Sequence, residues 1–197
     1  MKKILSHLKT MLNTARLYSD AYLISQSKEG NAEAFGKLYM KYIDSIFRFL
    51  YIRTGYHQEE AEDLAEAVFY KAWEHVDHFK GTGEYVKAWL FTIARNKLID
   101  YYRAHKKTTG VHELIIDESQ KPEESTYNLI LRDDIKQALL KITIDQRELI
   151  TLKFIEGLSN QEITQILGKR EDAIRQQQKR ALSRLKQLLK QKGYGKK

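Results

Sequence analysis

The chain has 197 residues, 42% of them hydrophobic and 30% charged, and carries a net charge of +8 at pH 7. These proportions exclude a disordered chain, and the absence of cysteine excludes disulfides, thiolate metal sites and thiol catalysis. One proline, ten glycines and no convincing alternation of apolar and polar residues predict an all-α fold, with room for two small helical domains.

The first 19 residues open with two lysines, as a secretory signal peptide does. However, His7, Lys9, Asn13 and Arg16 interrupt any apolar core, and no clean small-residue cleavage site follows. No window of 18 apolar residues exists in the sequence, which predicts no membrane insertion. We interpret residues 1–19 as an exposed or helical lead-in and expect a cytoplasmic protein.

A first helical domain is predicted for residues 20–107. It begins with a short helix at 20–30 and a strongly amphipathic helix at 32–51. The next helix, 58–75, has one apolar face and one acidic face. The acidic residues are Glu59, Glu60, Glu62, Asp63 and Glu66. Carboxylates near a helix N-terminus are stabilised by the helix dipole, but in a basic protein they also form a docking surface for a basic partner.

The last helix of this domain, 85–107, combines basic and aromatic side chains. The loop before it contains Gly81 and Gly83, which either let the backbone approach a ligand or simply make turns. Cations neutralise phosphates and aromatic rings stack on unpaired bases, so this helix is a candidate for binding single-stranded nucleic acid. The alternative is an amphipathic helix whose aromatics are core and whose charges are solvated.

Between residues 108 and 127 the sequence shows no helical spacing of apolar residues. This acidic stretch holds the only proline, Pro122, and we interpret it as a flexible linker between the two domains. Its VHELIID segment has some strand character, but too little to predict a strand. The linker spans at most roughly 65 Å when extended. That length is enough to let the two domains reach sites nearly two DNA turns apart.

A second helical domain is predicted for residues 128–197. Asp145 with Glu148, and Ser159 with Glu162, have the spacing of capping boxes and predict two helix starts. A third helix is predicted from about residue 171 to 191. From residue 169 onward eleven basic residues stand against two acidic ones, so the basic charge is confined to one end of the chain. Such a block is typical of a nucleic-acid face.

The second domain also has the spacing of a helix-turn-helix. Ile163 and Leu167 lie on the first helix, Gly168 lies in the turn, and Ile174 packs back from the second helix. Polar residues that read base edges or hold phosphate follow on that second helix: Arg170, Glu171, Arg175, Gln176, Lys179 and Arg180. The alternative is a three-helix bundle with a basic, solvated end.

Three motifs together resemble bacterial RNA polymerase sigma factors of the extracytoplasmic-function (ECF) group of the sigma-70 family. AEDLAEAVFYKAW (61–73) resembles the family stretch that docks on the clamp of the polymerase β′ subunit. AWLFTIARNKLIDYYR (88–103) resembles the helix that, with the loop before it, opens the −10 promoter element and holds its non-template strand. DQRELITLKFIEGLSNQEITQILG (145–168) resembles the region that leads into −35 recognition.

The resemblance implies a sigma factor with region 2 at 20–107 and region 4 at 128–197, and with no active site, metal or cofactor of its own. The implied partners are core RNA polymerase, through the β′ clamp and the β subunit, and promoter DNA, both as duplex and as melted single strand. The resemblance leaves open whether an anti-sigma factor is a third partner.

The resemblance also assigns residues to each partner. Polymerase docking falls on Glu62, Asp63 and Glu66. Binding of −10 DNA falls on Lys80, Trp89, Arg95, Asn96 and Arg103. Binding of −35 DNA falls on Arg170, Glu171, Arg175, Gln176, Lys179 and Arg180.

One departure from the family pattern concerns the second helix of the helix-turn-helix. Gln178 stands where the family often has an apolar residue, and we expect it to loosen the packing of that helix.

The main alternative function is a stand-alone helix-turn-helix transcriptional regulator whose N-terminal half dimerises or binds a ligand. That interpretation leaves the acidic motif at 61–73 without a purpose. An enzyme is disfavoured, because five of the six histidines lie between residues 57 and 112 without a metal-binding or phosphate-binding motif.

Overall fold

The computed structural model describes residues 19–109, 133–192 and 194, and within these residues the chain is helical with no β-strand. The predicted all-α fold is therefore confirmed. We call residues 19–109 the first half and residues 133–192 with 194 the second half. The predicted lead-in, the VHELIID segment and most of the predicted linker lie outside the described residues.

The first half contains four α-helices. They are α1 (Asp20–Lys28), α2 (Ala32–Arg53), α3 (Gln58–Glu74) and α4 (Val86–Thr109), with short 3-10 turns at Val76–His78 and Gly83–Tyr85 between α3 and α4. The Ser19 and Asn31 side chains cap the starts of α1 and α2 by accepting hydrogen bonds from backbone N–H groups. Within the described residues no helix is both long and apolar enough to span a membrane.

The second half contains four more α-helices. They are α5 (Asp133–Leu140), α6 (Ile144–Ile150), α7 (Asn160–Leu167) and α8 (Glu171–Gln191), and α6 continues as a π-helical turn at Thr151–Ile155. Gly168 ends α7 with a left-handed φ of 64°, as the helix-turn-helix pattern predicts. Ile163 and Ile174 are fully buried where α7 meets α8. The helix-turn-helix is confirmed.

One of the two predicted capping boxes is correct. Ser159 and Glu162 form the box that starts α7. The prediction for Asp145 and Glu148 is wrong, because Thr143 and Gln146 form the box that starts α6. Thr143 is the last extended residue before the helix, so its hydroxyl reaches the free N–H groups, whereas position 145 already lies within the first turn.

The two halves pack against each other and share their hydrophobic core. One cluster of buried side chains contains Ile46 and Phe91 of the first half together with Leu152 and Ile163 of the second. A second cluster joins Ile52 of α2 to buried residues of α5, α6 and α8. The helix α4 therefore lies between its own half and α7. The sequence did not predict this contact.

Candidate protein-docking and nucleic-acid interfaces

The acidic side of α3 faces solvent. Its opposite side carries fully buried alanine, valine and phenylalanine residues that pack into the core. The predicted docking residues Glu62, Asp63 and Glu66 are all exposed, and the Gln58 side chain donates a hydrogen bond to Glu62 over 2.8 Å. Tyr70 continues the stripe one turn later and is 65% exposed. We define the acidic stripe as Glu59, Glu62, Asp63, Glu66 and Tyr70.

Two members of this surface differ from the sequence interpretation. Glu60 is not part of the exposed acidic surface, because its carboxylate accepts a hydrogen bond from the Tyr101 hydroxyl of α4. Burial, and then this hydrogen bond to Glu60, raise the pKa of Tyr101 above its ordinary value. Tyr70 was not among the docking residues predicted from the sequence, because aromatic residues at helical spacing usually pack in the core. Its exposure in the folded chain identifies it as part of this surface.

The loop before α4 is held against α1. Lys28 at the end of α1 donates a hydrogen bond to the backbone carbonyl of Phe79. Gly83 lies so close to α1 that a Cβ atom there would come within 2.2 Å of the backbone nitrogen of Ala21. Lys80, by contrast, is exposed. The loop therefore presents Lys80 from a backbone that α1 braces.

Trp89 is less available than the sequence pattern suggests. Its ring lies 5.0 Å from the Phe79 ring, at 45° between the planes, and the side chain is partly buried against the core. Tyr102 is also partly buried, and its hydroxyl donates to the backbone carbonyl of Arg53. Burial raises the pKa of Tyr102. The alternative interpretation, that aromatics of this helix pack in the core, is thus correct for these two rings.

The polar residues of α4 divide into exposed and engaged groups. Asn96 and Arg103 are exposed, and Arg103 donates to Asp100 of the same helix over 3.3 Å. Arg95 is only 28% exposed, and its Nε forms an ion pair with the carboxylate of Glu148 on α6 at 3.2 Å. One of the predicted −10 residues is therefore bound by the second half of the same chain.

A second set of polar contacts joins the two halves around Glu156. Its carboxylate, 1% exposed, accepts hydrogen bonds from Arg48 of α2, with Nε–Oε1 at 2.7 Å and Nη2–Oε2 at 3.2 Å. Lys87 of α4 donates to the backbone carbonyl of the same residue. Arg53 donates to the Ile144 carbonyl over 2.7 Å. These contacts surround an apolar interface with charge-assisted hydrogen bonds.

Arg147 is the largest fully buried side chain of the described residues and has a structural role. Its guanidinium donates to the carbonyls of Leu139 and Leu140 over 2.8 and 2.9 Å. These carbonyls end α5 and have no partner within that helix. Burial, and then the nearby charge of Arg53, lower the pKa of Arg147. Sequence reasoning missed this residue, because arginine is rarely buried.

The outer face of α8 is basic and open. All six predicted −35 residues are exposed. They are Arg170, Glu171, Arg175, Gln176, Lys179 and Arg180. Two of them form an ion pair within the helix, with the Arg175 guanidinium 2.6 Å from the Glu171 carboxylate. Gln176, Lys179 and Arg180 line one side of a shallow groove along the helix.

Gln178 does not leave a defect where α7 meets α8. Its side-chain amide donates a 3.0 Å hydrogen bond to the Asn160 side chain at the start of α7. The expectation that this glutamine loosens the packing of the recognition helix is therefore wrong, because the amide finds a polar partner on α7.

Comparison with known protein families matches both halves of the chain. The model described as Sigma-70 region 2 matches residues 38–108, and the model described as Sigma-70, region 4 matches residues 132–185. The two matches occur in the order that the sequence motifs predict.

Curated relatives are similar over most of the chain. The ECF RNA polymerase sigma factor SigW of Bacillus subtilis is 32% identical over 157 residues, covering 74% of this chain and 83% of SigW. The ECF RNA polymerase sigma factor BldN of Streptomyces coelicolor is 34% identical over 171 residues, or 85% of this chain. The chain spans 64% of the length of BldN.

Two solved structures share the fold of this chain. CnrH, in complex with the cytosolic domain of CnrY, has a TM-score of 0.66 and 26% identity, with 87% of this chain and 97% of CnrH covered. The sigma factor RpoE of Bartonella quintana, in complex with the anti-sigma factor NepR, has a TM-score of 0.69 and 29% identity, with 81% and 98% covered. A stand-alone regulator is not favoured, because the region 2 match occupies the half that such a protein would use for dimerisation. The chain belongs to the ECF sigma factors of the sigma-70 family, the class of protein that directs RNA polymerase to promoters when transcription begins.

Proposed function

We propose that the chain binds core RNA polymerase and starts transcription at one class of promoter by recognising and melting the −10 element and binding the −35 element. It does so in the cytoplasm and without an active site of its own. The observation that carries this proposal is the position of the acidic stripe, the basic helix α4 and the open helix α8 within the two family matches. We place region 2 at 20–107, the linker at 108–127 and region 4 at 128–197.

The acidic stripe of α3 is the proposed docking surface for the β′ clamp. Glu62, Asp63 and Glu66 supply negative charge in a protein that is basic overall. Tyr70 supplies an exposed aromatic ring beside them. Aromatic side chains are enriched at protein interfaces, where they contribute buried contact area. Complementary charges around them steer the association of the two partners. Region 4 is proposed to contact the β subunit.

The loop before α4 and the outer face of α4 are the proposed −10 site. Lys80, Asn96 and Arg103 are exposed and suit phosphate and base contacts. Trp89 packs on Phe79 and is only partly buried, and the part of its ring that stays exposed is proposed to stack on an unpaired base. Arg95 joins them once Glu148 moves away.

The outer face of α8 is the proposed −35 site. Arg175 and Gln176 lie one turn into the helix, where the recognition helix of a helix-turn-helix contacts base edges. Arg170 and Glu171 lie at its start, and Lys179 and Arg180 follow one turn later. Lysine and arginine at those later positions suit phosphate contacts on duplex DNA.

An anti-sigma factor is proposed as a third partner. The similar structures of CnrH and RpoE are both complexes, and the partner of RpoE, NepR, is an anti-sigma factor. We extend this kind of partner to the present chain, with its chemistry undefined.

Run-off transcription on genomic fragments tests the proposed function. Core RNA polymerase with the purified chain is expected to start transcripts at a small set of sites, whereas core polymerase alone starts none of them. A stand-alone regulator would bind duplex DNA in the absence of core polymerase and would add no new start site, which is the result that contradicts the proposal.

A further inference from the structure

Two exposed apolar side chains flank the seam where α2 packs against α3. Within the described residues, Met40 (73% exposed) and Tyr70 (65% exposed) are the most exposed of the large apolar side chains. The Tyr39 ring packs edge-on against Phe69 across the seam, and a second aromatic pair lies one turn away. Met40 and Tyr70 each follow one of these two rings by one residue, whereas the residue before each ring is buried. Both side chains therefore lie on the solvent side of the same seam.

A shallow groove of about 580 Å³ opens beside Met40. The residues that line it are Glu33, Gly36, Lys37, Tyr39 and Met40. Gly36 lies inside α2, where glycine costs roughly 0.5–1 kcal/mol relative to alanine. Nothing lies within 4 Å of the Cβ atom that alanine would add, so packing among the described residues does not require the glycine. The missing side chain keeps the groove open to a further segment of chain.

The surface around this groove is acidic. The acidic stripe of α3 supplies four exposed carboxylates, and Glu33 at the rim of the groove pairs with Lys37 over 2.8 Å. An occupant that covers the seam must therefore bring apolar side chains to Met40 and Tyr70. It must also bring cations to the carboxylates beside them.

Residues 1–18 of the chain itself have this chemistry. They contain no carboxylate and four cations, which are Lys2, Lys3, Lys9 and Arg16. Three of these cations are seven residues apart, so on a helix they would follow one line along its surface. Apolar residues of the segment recur at the spacing of one helix face, and they are Ile4, Leu5, Leu8, Met11 and Leu12. The sequence of this segment therefore complements both the apolar and the acidic parts of the seam.

The start of α1 lies close to the groove. Asp20 accepts hydrogen bonds from Lys41 of α2, over 2.7 Å, and from the Tyr42 hydroxyl. Lys41 follows Met40 directly, and neighbouring Cα atoms are about 3.8 Å apart. A nine-residue helix, the length of the apolar stretch, is about 13 Å long, and the acidic stripe extends roughly 16 Å along α3. The segment that precedes α1 can therefore reach the seam and has a length that matches it.

We propose that residues 1–18 bind the seam between α2 and α3 and cover the polymerase-docking surface of the free chain. This inference rests on the proposed docking function of the acidic stripe. A tether of this kind supplies an effective concentration on the order of 1 mM, so weak contacts are sufficient. If the segment covers the surface in about nine of ten chains, the apparent affinity for core polymerase falls about 10-fold.

The first test uses the absence of cysteine from the chain, because introduced cysteines are then the only thiols. The whole chain carrying Met11→Cys with Met40→Cys is treated with a short bismaleimide crosslinker, without polymerase. It is expected to give an intrachain product. Met11→Cys with Leu182→Cys is the matched control, since Leu182 is an exposed apolar residue on α8, and its yield should be several-fold lower.

The second test measures the affinity of the fluorescently labelled chain for core polymerase. Leu8→Glu with Leu12→Glu places carboxylates on the apolar face of the segment and should release it from the seam. In the cysteine pair at 11 and 40 these substitutions should remove the crosslink, and core binding should tighten about 10-fold. Ser6→Glu with Thr10→Glu is the matched control, because it makes the same change of net charge on the opposite face. Its crosslinking and its core affinity should stay close to those of wild type.

Three results would count against the inference. They are an equal crosslinking yield for the two cysteine pairs, an unchanged core affinity for the variant at Leu8 and Leu12, and crosslinked dimers in place of the intrachain product. The dimers would assign the seam to a second copy of the chain. If neither wild type nor any variant binds core polymerase, the proposed function fails, whereas the crosslinking result still shows whether the segment binds the seam.

Discussion

Arg95 of α4 lies 3.2 Å from Glu148 of α6, so a residue expected at the −10 element is paired within the chain itself. Replacing Glu148 by Gln is expected to shift the free chain towards separated halves. The pair contributes on the order of 1 kcal/mol, because solvent screens the partly exposed arginine, and this amounts to a several-fold change in the ratio of closed to open chains. Small-angle X-ray scattering should report a larger radius of gyration. Asp145→Asn, on the same helix but exposed, is the control and should leave the radius unchanged.

Charge reversal within the acidic stripe is expected to remove polymerase binding. Asp63→Arg places a cation on an exposed helix position, so the fold and the melting temperature should be retained while co-purification with core enzyme is lost. Glu29→Arg is the matched control, since Glu29 is an exposed acid at the end of α1. Normal co-purification of the Asp63 variant would contradict the docking assignment.

Truncation of Arg175 is expected to weaken binding at the −35 element by roughly 1–3 kcal/mol if its guanidinium reads a base. The loss should then be specific to one position of the −35 sequence in a competition assay. Lys179→Ala serves for comparison, because loss of a phosphate contact weakens binding equally on all sequences. An equal loss on every sequence for Arg175→Ala would make it a phosphate contact as well.

Gly83→Ala is expected to destabilise the brace between α1 and the loop before α4. The added Cβ would meet the backbone of α1 at 2.2 Å, and backbone moves aside less easily than a flexible side chain. Overpacking of this kind costs about 1–3 kcal/mol, and both the melting temperature and promoter opening should fall.

Gly36→Ala is the contrasting control for this substitution. Nothing lies within 4 Å of its added Cβ, and alanine in the interior of α2 should stabilise the chain by about 1 kcal/mol.

Replacement of Arg147 by Met is expected to destabilise the second half. The Leu139 and Leu140 carbonyls lose the donors that now reach them over 2.8 and 2.9 Å. Hydrogen bonds from a charged donor contribute about 1.5–3 kcal/mol each, so a loss of roughly 3 kcal/mol in unfolding free energy is expected in denaturant titration. Arg170→Met, at an exposed position, should change stability by less than about 0.5 kcal/mol. A small effect for Arg147→Met would show that water replaces its contacts.

Much of the local structure follows from the sequence, because helix formation depends on neighbours three and four residues apart. The helix-turn-helix and the extent of α8 were predicted in this way, and the long motifs indicated the family. The capping box of α6 was not predicted, since two candidate pairs have the same spacing. Only the position of the last extended residue, Thr143, decides between them.

By itself the sequence determined the helical fold, the exposed carboxylates of α3 and the basic terminal helix, since helical period and charge are properties of short segments. Tertiary structure alone decided that Glu60 turns to Tyr101, that Trp89 packs on Phe79 and that Glu156 binds Arg48 across 108 residues of sequence. The spacing of residues along the sequence does not predict such contacts. They form when two apolar faces from distant parts of the chain are buried together, because the polar groups at the edge of the buried area then need hydrogen-bond partners.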